Sequence, residues 1–375
     1  MKKVIIIGGG FAGLSALAVF CRSKRQDLEV TLINEKDKVS FLPMLPDCLG
    51  RNINPEHLIF DLAEFSAKKH SNFIMDKVAA VNLEKRELVI SNKNLKYDFL
   101  IISSGSETNF YGNNEIRHHS FKLDDAQDAG LIRKSLDENK YDSFLVTGAG
   151  YTGIEVATNL RVYLEKRKIN KRIIIVERAA SILGPLPQWT KDYVADNLKR
   201  LNIEVLLNSS IDKAEGGKIS LSGGVSFDNS MLIWAAGVKT SDFIQNLNVE
   251  KNPQGRIRVD EYLRVNNTCF AAGDAAYFSY KNNFLRMAVQ FAIIQGDCCA
   301  KNIIKNIEGR KLIKFRPIDL GLIIPMANNK AAGRVLGIEM KGFLPIFFHY
   351  VMCIYRSYGL KNKFGIIKDL MGINA

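Results

Sequence analysis

A glycine-rich fingerprint occurs twice in this chain of 375 residues, at Gly8 and at Gly148. Each copy follows an apolar run, residues 4–7 or 144–147, and precedes a helix-like run. In a strand–turn–helix context the first glycine permits a tight turn, the second lets the backbone approach a pyrophosphate, and the third lets the helix pack on the strand. The repeat predicts an α/β fold with two Rossmann-like dinucleotide-binding domains. The residues expected to contact the two cofactors are Gly8, Gly10, Phe11, Ala12 and Gly13 in the first copy and Gly148, Gly150, Tyr151, Thr152 and Gly153 in the second.

The residue that ends the second strand of each repeat is expected to hold a ribose. In the second repeat, residues 172–176 form a strand-like run that ends at Glu177. A carboxylate accepts hydrogen bonds from both ribose hydroxyls and repels a 2′-phosphate, so Glu177 favours NADH over NADPH, although Arg178 offsets part of that preference. In the first repeat, register points to Asn34 and charge points to Glu35. The sequence leaves both open.

The length of the chain and its hydrophobic content of 47% are sufficient for two cores. Residues 268–270 read as a strand that returns to the first domain, which makes the second repeat an insertion. The predicted domains are residues 1–115 with 256–315, residues 116–255, and a C-terminal segment of residues 316–375. The chain enters a buried strand directly after Met1 without a secretory leader, so a cytosolic location is expected.

Six cysteines are scattered along the chain without a C-x-x-C pair. This spacing predicts no metal or iron–sulfur site. Cys48 follows the first fingerprint without a neighbouring cysteine, and Cys298 and Cys299 lie in a helical run. Free cysteine most often packs as a small hydrophobe, and a catalytic role for Cys48, Cys269 or Cys298 is the alternative.

The C-terminal segment predicts two short amphipathic helices from Phe343 onward, because apolar residues recur at three- and four-residue steps. The recurring apolar residues are Ile346, Phe347, Tyr350, Val351, Ile354, Tyr358, Phe364, Ile367, Leu370 and Met371, and the accompanying cations are Lys341, Arg356, Lys361, Lys363 and Lys368. Neither helix reaches the roughly 18 to 20 apolar residues that cross a bilayer. With a net charge of +13, the segment is expected to lie on an anionic membrane surface. Packing on the first domain or a homodimer seam are the alternatives.

The charges form no basic stripe, so no nucleic-acid partner is expected.

Several segments together resemble the type II NADH dehydrogenases, a group within the FAD-dependent pyridine nucleotide-disulfide oxidoreductase superfamily. The similar segments are residues 41–47, 97–105, 234–238 and 273–274. The resemblance implies FAD in the first domain, NADH in the second, a quinone of the menaquinone or ubiquinone type as acceptor, and a peripheral place on the cytoplasmic face of the membrane. It also implies cofactor contacts from Ser104, Gly105, Ala236, Gly237, Gly273 and Asp274. Helix N-capping is the ordinary alternative role for Asp274.

The resemblance implies catalytic roles for Glu155 and Gln290. Glu155 follows the second fingerprint, where a glutamate of the family lies near flavin and quinone; a surface glutamate that complements the helix dipole is the alternative. Gln290 and Ala292 match the family's quinone-proximal helix pattern Ala-Gln-x-Ala-x-Gln, but Val289 and Ile294 depart from it. Gln295 comes one place late, which turns its side chain by about 100°.

The function expected from these residues is that of a non-pumping NADH:quinone oxidoreductase of the respiratory chain. Hydride passes from NADH to FAD, and two electrons then pass to quinone, while the protein positions the reactants. Two alternatives are a thiol-using flavoenzyme of the sulfide:quinone or disulfide reductase type and a redox sensor that binds FAD and NADH.

Overall fold

The computed structural model describes residues 1–91, 93–281 and 283–373. Its α-helices are α1 (Phe11–Ser23), α2 (Asp47–Gly50), α3 (Leu62–Lys68), α4 (Asn114–His119), α5 (Ala126–Asp137), α6 (Tyr151–Lys166), α7 (Gln188–Arg200), α8 (Asp242–Asn246), α9 (Val289–Ile307), α10 (Phe343–Arg356) and α11 (Leu360–Leu370). Its strands are β1 (Lys2–Ile7), β2 (Leu28–Asn34), β3 (Lys38–Ser40), β4 (Ile59–Asp61), β5 (Asn72–Met75), β6 (Val78–Asn82), β7 (Glu87–Ile90), β8 (Lys93–Lys96), β9 (Phe99–Ile102), β10 (Ser106–Thr108), β11 (Ser143–Thr147), β12 (Arg172–Val176), β13 (Ile203–Leu206), β14 (Ile211–Glu215), β15 (Lys218–Leu221), β16 (Ser226–Phe227), β17 (Ser230–Trp234), β18 (Val238–Thr240), β19 (Ile257–Arg258), β20 (Cys269–Ala271), β21 (Ala276–Tyr277), β22 (Ser279–Tyr280), β23 (Asn283–Phe284), β24 (Gly321–Met326), β25 (Lys330–Val335) and β26 (Ile338–Gly342).

The chain forms two compact units. Unit 1 comprises Met1–Val39, Asp61–Glu107 and Val238–Asp319, and unit 2 comprises Ser40–Phe60, Thr108–Gly237 and Leu320–Ala375. Each unit contains one of the two glycine fingerprints.

Unit 1 is built on a five-stranded parallel sheet with the strand order β20-β9-β1-β2-β5. Its strands β9 and β20 and residues 4–7 of β1 are continuous apolar runs, as parallel strands covered on both faces are. Helix α9 packs along α1. The expected return of the chain to this sheet is confirmed, because β20 pairs in parallel with β9. The carboxyl ends of β1, β2, β9 and β20 therefore meet at one edge, where open α/β sheets bind ligands.

Unit 2 contains a second parallel sheet, with the order β13-β12-β11-β17. Strands β11, β12 and β17 pack their apolar side chains against α5, α6 and α7 in one cluster of buried residues. The two predicted Rossmann-like sheets are thus both present.

The C-terminal residues of unit 2 form an antiparallel sheet of β24, β25 and β26, followed by α10 and α11. The two predicted helices are confirmed. Helix α10 packs on this sheet, and β24 packs on α6. No helix in the three described ranges combines the length and apolar content needed to cross a bilayer.

The two compact units divide the chain differently from the predicted domain boundaries. Residues 40–60 and 320–375 cluster with residues 108–237, and residues 238–255 cluster with unit 1. The reason for the first difference is visible at Gly50 of α2, where a Cβ atom would lie 2.3 Å from the Asn159 carbonyl oxygen of α6. Such a close approach of two backbones ties α2 to unit 2. The nucleotide that each domain binds stays a prediction.

Candidate functional site

The first fingerprint has the geometry that each of its glycines requires. Gly8 has φ +98°, and a Cβ atom there would lie 2.3 Å from the Ser103 carbonyl oxygen. A Cβ on Gly13 would lie 1.9 Å from the Gly8 carbonyl oxygen. The space around Gly10, the N-cap of α1, is open instead, with no neighbouring atom within 4 Å of a Cβ position and no side-chain cap. An open, uncapped helix N-terminus in a glycine cradle fits a pyrophosphate. Phe11 and Ala12 begin α1 at this end.

The second fingerprint repeats this geometry in unit 2. Gly148 has φ +87°, and a Cβ there would lie 2.8 Å from the Ala235 carbonyl oxygen. A Cβ on Gly153 would lie 1.8 Å from the Gly148 carbonyl oxygen, and Gly150 is the open, uncapped N-cap of α6. Tyr151 and Thr152 are exposed at the start of that helix. Both cradles therefore fit a dinucleotide phosphate.

Asn34 and Glu177 occupy equivalent positions in the two units. The Asn34 Oδ1 accepts a hydrogen bond of 2.9 Å from the Gly9 amide, and the Glu177 Oε2 accepts one of 2.7 Å from the Ala149 amide. Asn34 is therefore the register equivalent of Glu177. Glu35 is exposed beside it. Both Asn34 and Glu35 line a cavity of about 150 Å³ in unit 1, together with Gly8, Asp76, Lys77, Ser104, Ser106 and Ser241.

The strand ends β9 and β20 supply the remaining predicted contacts of unit 1. Ser104 shares a hydrogen bond of 3.0 Å with Ser241, and Gly105 has φ +71°. Gly273 and Asp274 form a 3-10 turn after β20. The Asp274 carboxylate accepts a hydrogen bond of 2.8 Å from Ser106, and burial raises its pKa although Ser106 and Arg256 oppose the rise. This turn has no side-chain cap, so the geometry does not favour the N-cap role for Asp274.

The structure separates the roles of the two glutamines on α9. Gln295 is buried, and its Oε1 accepts a hydrogen bond of 2.8 Å from the Gly273 amide, so it holds the turn that carries Asp274. The Gln290 amide donates a hydrogen bond of 3.1 Å to Asp319. The Asp319 carboxylate also accepts hydrogen bonds from both terminal nitrogens of Arg286. Gln290 therefore belongs to a polar cluster at the start of α9.

The crossover after β17 in unit 2 is fixed by Tyr111. Its hydroxyl donates a hydrogen bond of 2.8 Å to the Ala236 carbonyl oxygen. Gly237 has φ +119°, and a Cβ there would lie 2.3 Å from the same hydroxyl. The positive φ and the close Tyr111 hydroxyl thus require a glycine at position 237.

Glu155 lies on α6 and shares a small crevice of unit 2 with a second carboxylate, Asp47. The Glu155 side chain is partly exposed, but most of it is surrounded by protein. This burial, and to a smaller extent the negative charge of Asp47, raises the pKa of Glu155 well above its usual range. Burial also raises the pKa of Asp47, to about 6. Asp47 has partners of its own: the Tyr350 hydroxyl at 2.9 Å and the Arg51 guanidinium at 3.5 Å. The sequence singles out Asp47 only as the last residue of the segment 41–47 that resembles the family. No local pattern marks Asp47, because Tyr350 lies far away in sequence.

The cysteines have no redox arrangement. All six are free thiols. Cys48 is buried and donates to the Met44 carbonyl oxygen, and burial raises its pKa and that of Cys269. Burial raises the pKa of Cys298 to about 11. These thiols are protonated at neutral pH, which disfavours a thiolate mechanism. Within the described residues no cluster of metal-ligating side chains occurs.

Helix α10 has two apolar faces. On one face Ile346 is buried and Tyr350 reaches Asp47; on the other, Phe347 and Tyr355 are 52% and 74% exposed. The predicted stripe therefore divides between packing and solvent. One predicted surface cation also has a packing role, because the Lys363 ammonium donates to the Ile354 and Tyr355 carbonyl oxygens at the end of α10.

Comparison with known proteins identifies the family. The family model of the pyridine nucleotide-disulphide oxidoreductases matches residues 2–296. The chain belongs to this family. It is 24% identical over 373 residues to a demethylphylloquinone reductase of Synechocystis, covering 94% of this chain and 92% of the relative. It is 23% identical to a type II NADH:quinone oxidoreductase of Staphylococcus aureus, covering 91% of both chains.

The fold also matches a solved structure. It is similar to the Plasmodium falciparum NDH2 solved in complex with NADH, with a TM-score of 0.86, 20% sequence identity, and coverage of 99% of this chain and 97% of that one. Together with the two parallel sheets, this likeness confirms the predicted Rossmann-type α/β fold.

Proposed function

We propose that the chain is an FAD-dependent NADH:quinone oxidoreductase that works at a membrane surface. One observation carries the proposal: each of the two units has a complete dinucleotide cradle, with an open, uncapped helix N-terminus at Gly10 or Gly150. The names of the relatives from Synechocystis and Staphylococcus aureus support quinone as the acceptor.

Unit 1 binds FAD. Its cradle lies at the carboxyl edge of the five-stranded sheet, with Asn34 in the ribose position and Ser104, Gly105, Gly273 and Asp274 at the adjacent strand ends. When bound, FAD supplies the redox chemistry, because it accepts hydride from NADH and delivers two electrons to quinone.

Unit 2 binds NADH, with its pyrophosphate at Gly150 and its ribose at Glu177. Both Glu177 oxygens already accept backbone amides, from Ala149 and from Ala179, each at 2.7 Å. The carboxylate is therefore held in place where a 2′-phosphate would meet its charge, which favours NADH over NADPH. Ala236 and Gly237 supply the backbone on the neighbouring strand end.

Glu155 and Gln290 act on the reactants. Burial and the charge of Asp47 raise the pKa of Glu155, which favours its protonated form, so it can give a proton to the acceptor oxygen. Gln290 is oriented by Asp319 and lines the approach of quinone. Burial raises the pKa of the Cys48, Cys269 and Cys298 thiols, which disfavours a catalytic role for these cysteines.

The exposed face of the C-terminal helices binds the membrane surface. Phe347, Val351 and Tyr355 lie at four-residue steps on α10, and Leu360, Phe364 and Met371 are exposed on α11. Exposed aromatic and aliphatic side chains beside Lys361 and Lys368, which are exposed too, fit an anionic lipid interface on the cytoplasmic side. A homodimer seam would use the same face.

One assay tests the activity. Protein reconstituted with FAD is mixed anaerobically with NADH, and a menaquinone or ubiquinone analogue is then added. We expect NADH to reduce the flavin rapidly and quinone to reoxidise it. Glu155→Gln is expected to slow the quinone step with FAD still bound, whereas Glu165→Gln, an exposed glutamate of the same helix, leaves both steps unchanged. Failure of every quinone to reoxidise the flavin would refute the proposed acceptor.

Matched valine variants test the membrane surface. Val351 and Val225 are both exposed, 44% and 53%, but only Val351 lies on α10. Val351→Asp is expected to reduce binding to anionic liposomes, and Val225→Asp to leave it unchanged. Equal binding of both variants, together with a doubled mass in solution for the wild type, would assign this face to a homodimer.

A further inference from the structure

The carboxylates of Asp47 and Glu155 are brought together by two helices that touch through their backbones. Asp47 begins α2, and Glu155 lies one turn into α6. Because Gly50 of α2 approaches the Asn159 carbonyl oxygen of α6 without room for a Cβ, the two helices are held at a fixed distance. Both carboxyl groups line the same crevice, which is completed by Pro46, Asn159 and Pro325–Ala327.

The two carboxyl groups differ in their partners. Asp47 receives hydrogen bonds from the Tyr350 hydroxyl and the Asn159 side chain, and it forms an ion pair with Arg51. No donor or cation in residues 1–91, 93–281 and 283–373 reaches the Glu155 carboxyl group. Hydrogen bonds and a cation stabilise a carboxylate, so the negative charge favours Asp47 and the proton favours Glu155.

Arg51 supplies a positive charge close to the pair. The titratable groups packed around the pair are Cys48 on α2, Arg51 directly after α2, and His349, Tyr350 and Cys353 on α10. Burial and Arg51 lower the pKa of His349 to about 4, so its imidazole is neutral, and burial raises the pKa of Tyr350 and Cys353. Arg51 is thus the cation that acts on Asp47, and two buried like charges beside one cation are unfavourable.

The crevice also has a spare acceptor. The Oδ1 atom of Asn159 is buried and has no hydrogen-bond donor among the described residues. A buried acceptor requires a donor, and the O–H of a carboxylic acid or an ordered water can supply it. Asn159 Oδ1 is therefore a second feature of the crevice that requires a proton donor.

We propose that Asp47 and Glu155 share a single proton at neutral pH, and that Asp47 is a positioning residue that sets the proton affinity of Glu155 during quinone reduction. The inference rests on the proposed function. The overall reaction converts NADH, quinone and one proton from solution into NAD⁺ and quinol. The pair carries that proton: the Glu155 O–H bond breaks, the proton joins the acceptor oxygen, and the electron pair stays on the carboxylate. Glu155 then faces the Asp47 charge, and this repulsion draws a new proton from water.

Titration of the carboxyl groups tests the pair without turnover. Holoenzyme labelled with ¹³C in its carboxyl groups is followed by infrared spectroscopy between pH 5 and 9. We expect a protonated carboxylic acid at pH 7 that Glu155→Gln removes. In Asp47→Asn the like charge is gone, so the pKa of Glu155 is expected to fall by about one unit or more. A Glu155 that is ionised at pH 7 in the wild type, or that titrates identically in Asp47→Asn, would overturn the pair.

Stopped-flow kinetics test the link to quinone. Asp47→Asn is expected to leave flavin reduction by NADH unchanged and to shift the pH profile of flavin reoxidation by quinone. Tyr350→Phe, which keeps the charge of Asp47 but removes its donor, is expected to shift that profile in the opposite direction. Glu165→Gln serves as the control. If the wild type reduces quinone and neither variant shifts the pH profile, the proposed role of the carboxyl pair is wrong. If the wild type reduces no quinone but the titration shows one shared proton, the proposed function is wrong and the shared proton stands.

Discussion

Gly296 lies where helix α9 crosses α1 in unit 1, and its replacement by alanine tests how this contact supports the cofactor turn. A Cβ on Gly296 would lie 2.0 Å from the Ala12 carbonyl oxygen, far inside an ordinary contact of about 3.4 Å. The obstacle is backbone, so the two helices must separate by more than 1 Å. Overpacking of this kind costs about 3 kcal/mol, of which the helix preference of alanine over glycine returns about 1 kcal/mol.

The expected net loss of about 2 kcal/mol corresponds to a decrease of roughly 4–8 °C in the melting temperature of unit 1. Thermal unfolding followed by flavin fluorescence measures it, and a weaker retention of FAD is expected because the neighbouring Gln295 holds Gly273. Gly130→Ala is the matched control: Gly130 lies inside α5 with no atom within 4 Å of its Cβ position, so alanine there should stabilise slightly. If the Gly296→Ala and Gly130→Ala proteins have the same melting temperature and retain FAD equally well, the reasoning is wrong.

Two further predictions concern charge. Glu177→Gln removes the charge that opposes a 2′-phosphate, so the ratio of kcat/KM for NADPH to that for NADH should rise about fivefold or more; an unchanged ratio would show that Glu177 does not select the cofactor. Folding raises the pKa of Asp47 from 3.8 to about 6, so the unfolded chain ionises this group first and the folded state loses stability as pH rises through that interval. The stability of Asp47→Asn relative to the wild type should therefore improve by about 2 kcal/mol between pH 4 and pH 7, measured by urea unfolding, and a difference that does not vary with pH would contradict the buried charge.

The parallel sheets of the fold were predictable because their signals are local. An apolar run followed by Gly8 or Gly148 contains the strand, the turn and the helix start within a few residues. The same locality placed Asn34 and Glu177 in register, and the structure gives them the same hydrogen bond to the fingerprint amide. A geometric requirement between residues that are close in sequence can therefore be predicted from one sequence.

The carboxylate pair was not predictable because its parts come from three separate segments. Asp47, Glu155 and Tyr350 meet only after α2, α6 and α10 have packed. The side chain of Gln295 shows the same limit on a smaller scale. Its offset from the family pattern showed only that its side chain is turned, whereas the fold shows that it accepts a hydrogen bond from the Gly273 amide.

Helix α10 shows why periodicity alone could not assign the C-terminal segment. Steps of three and four residues bring Ile346 and Tyr350 to one side of the helix and Phe347, Val351 and Tyr355 to another, and both sets are apolar. A sequence pattern records that the helix is apolar on a wide arc, but only packing on β24–β26 decides which part of that arc is buried. Once that packing is known, the buried side holds the donor of Asp47 and the exposed side holds the residues proposed to meet lipid. The same helix thus carries the hydrogen-bond donor of Asp47 and the proposed membrane contact, so a shift of α10 on lipid binding would change the Tyr350–Asp47 hydrogen bond and with it the proton affinity of the pair.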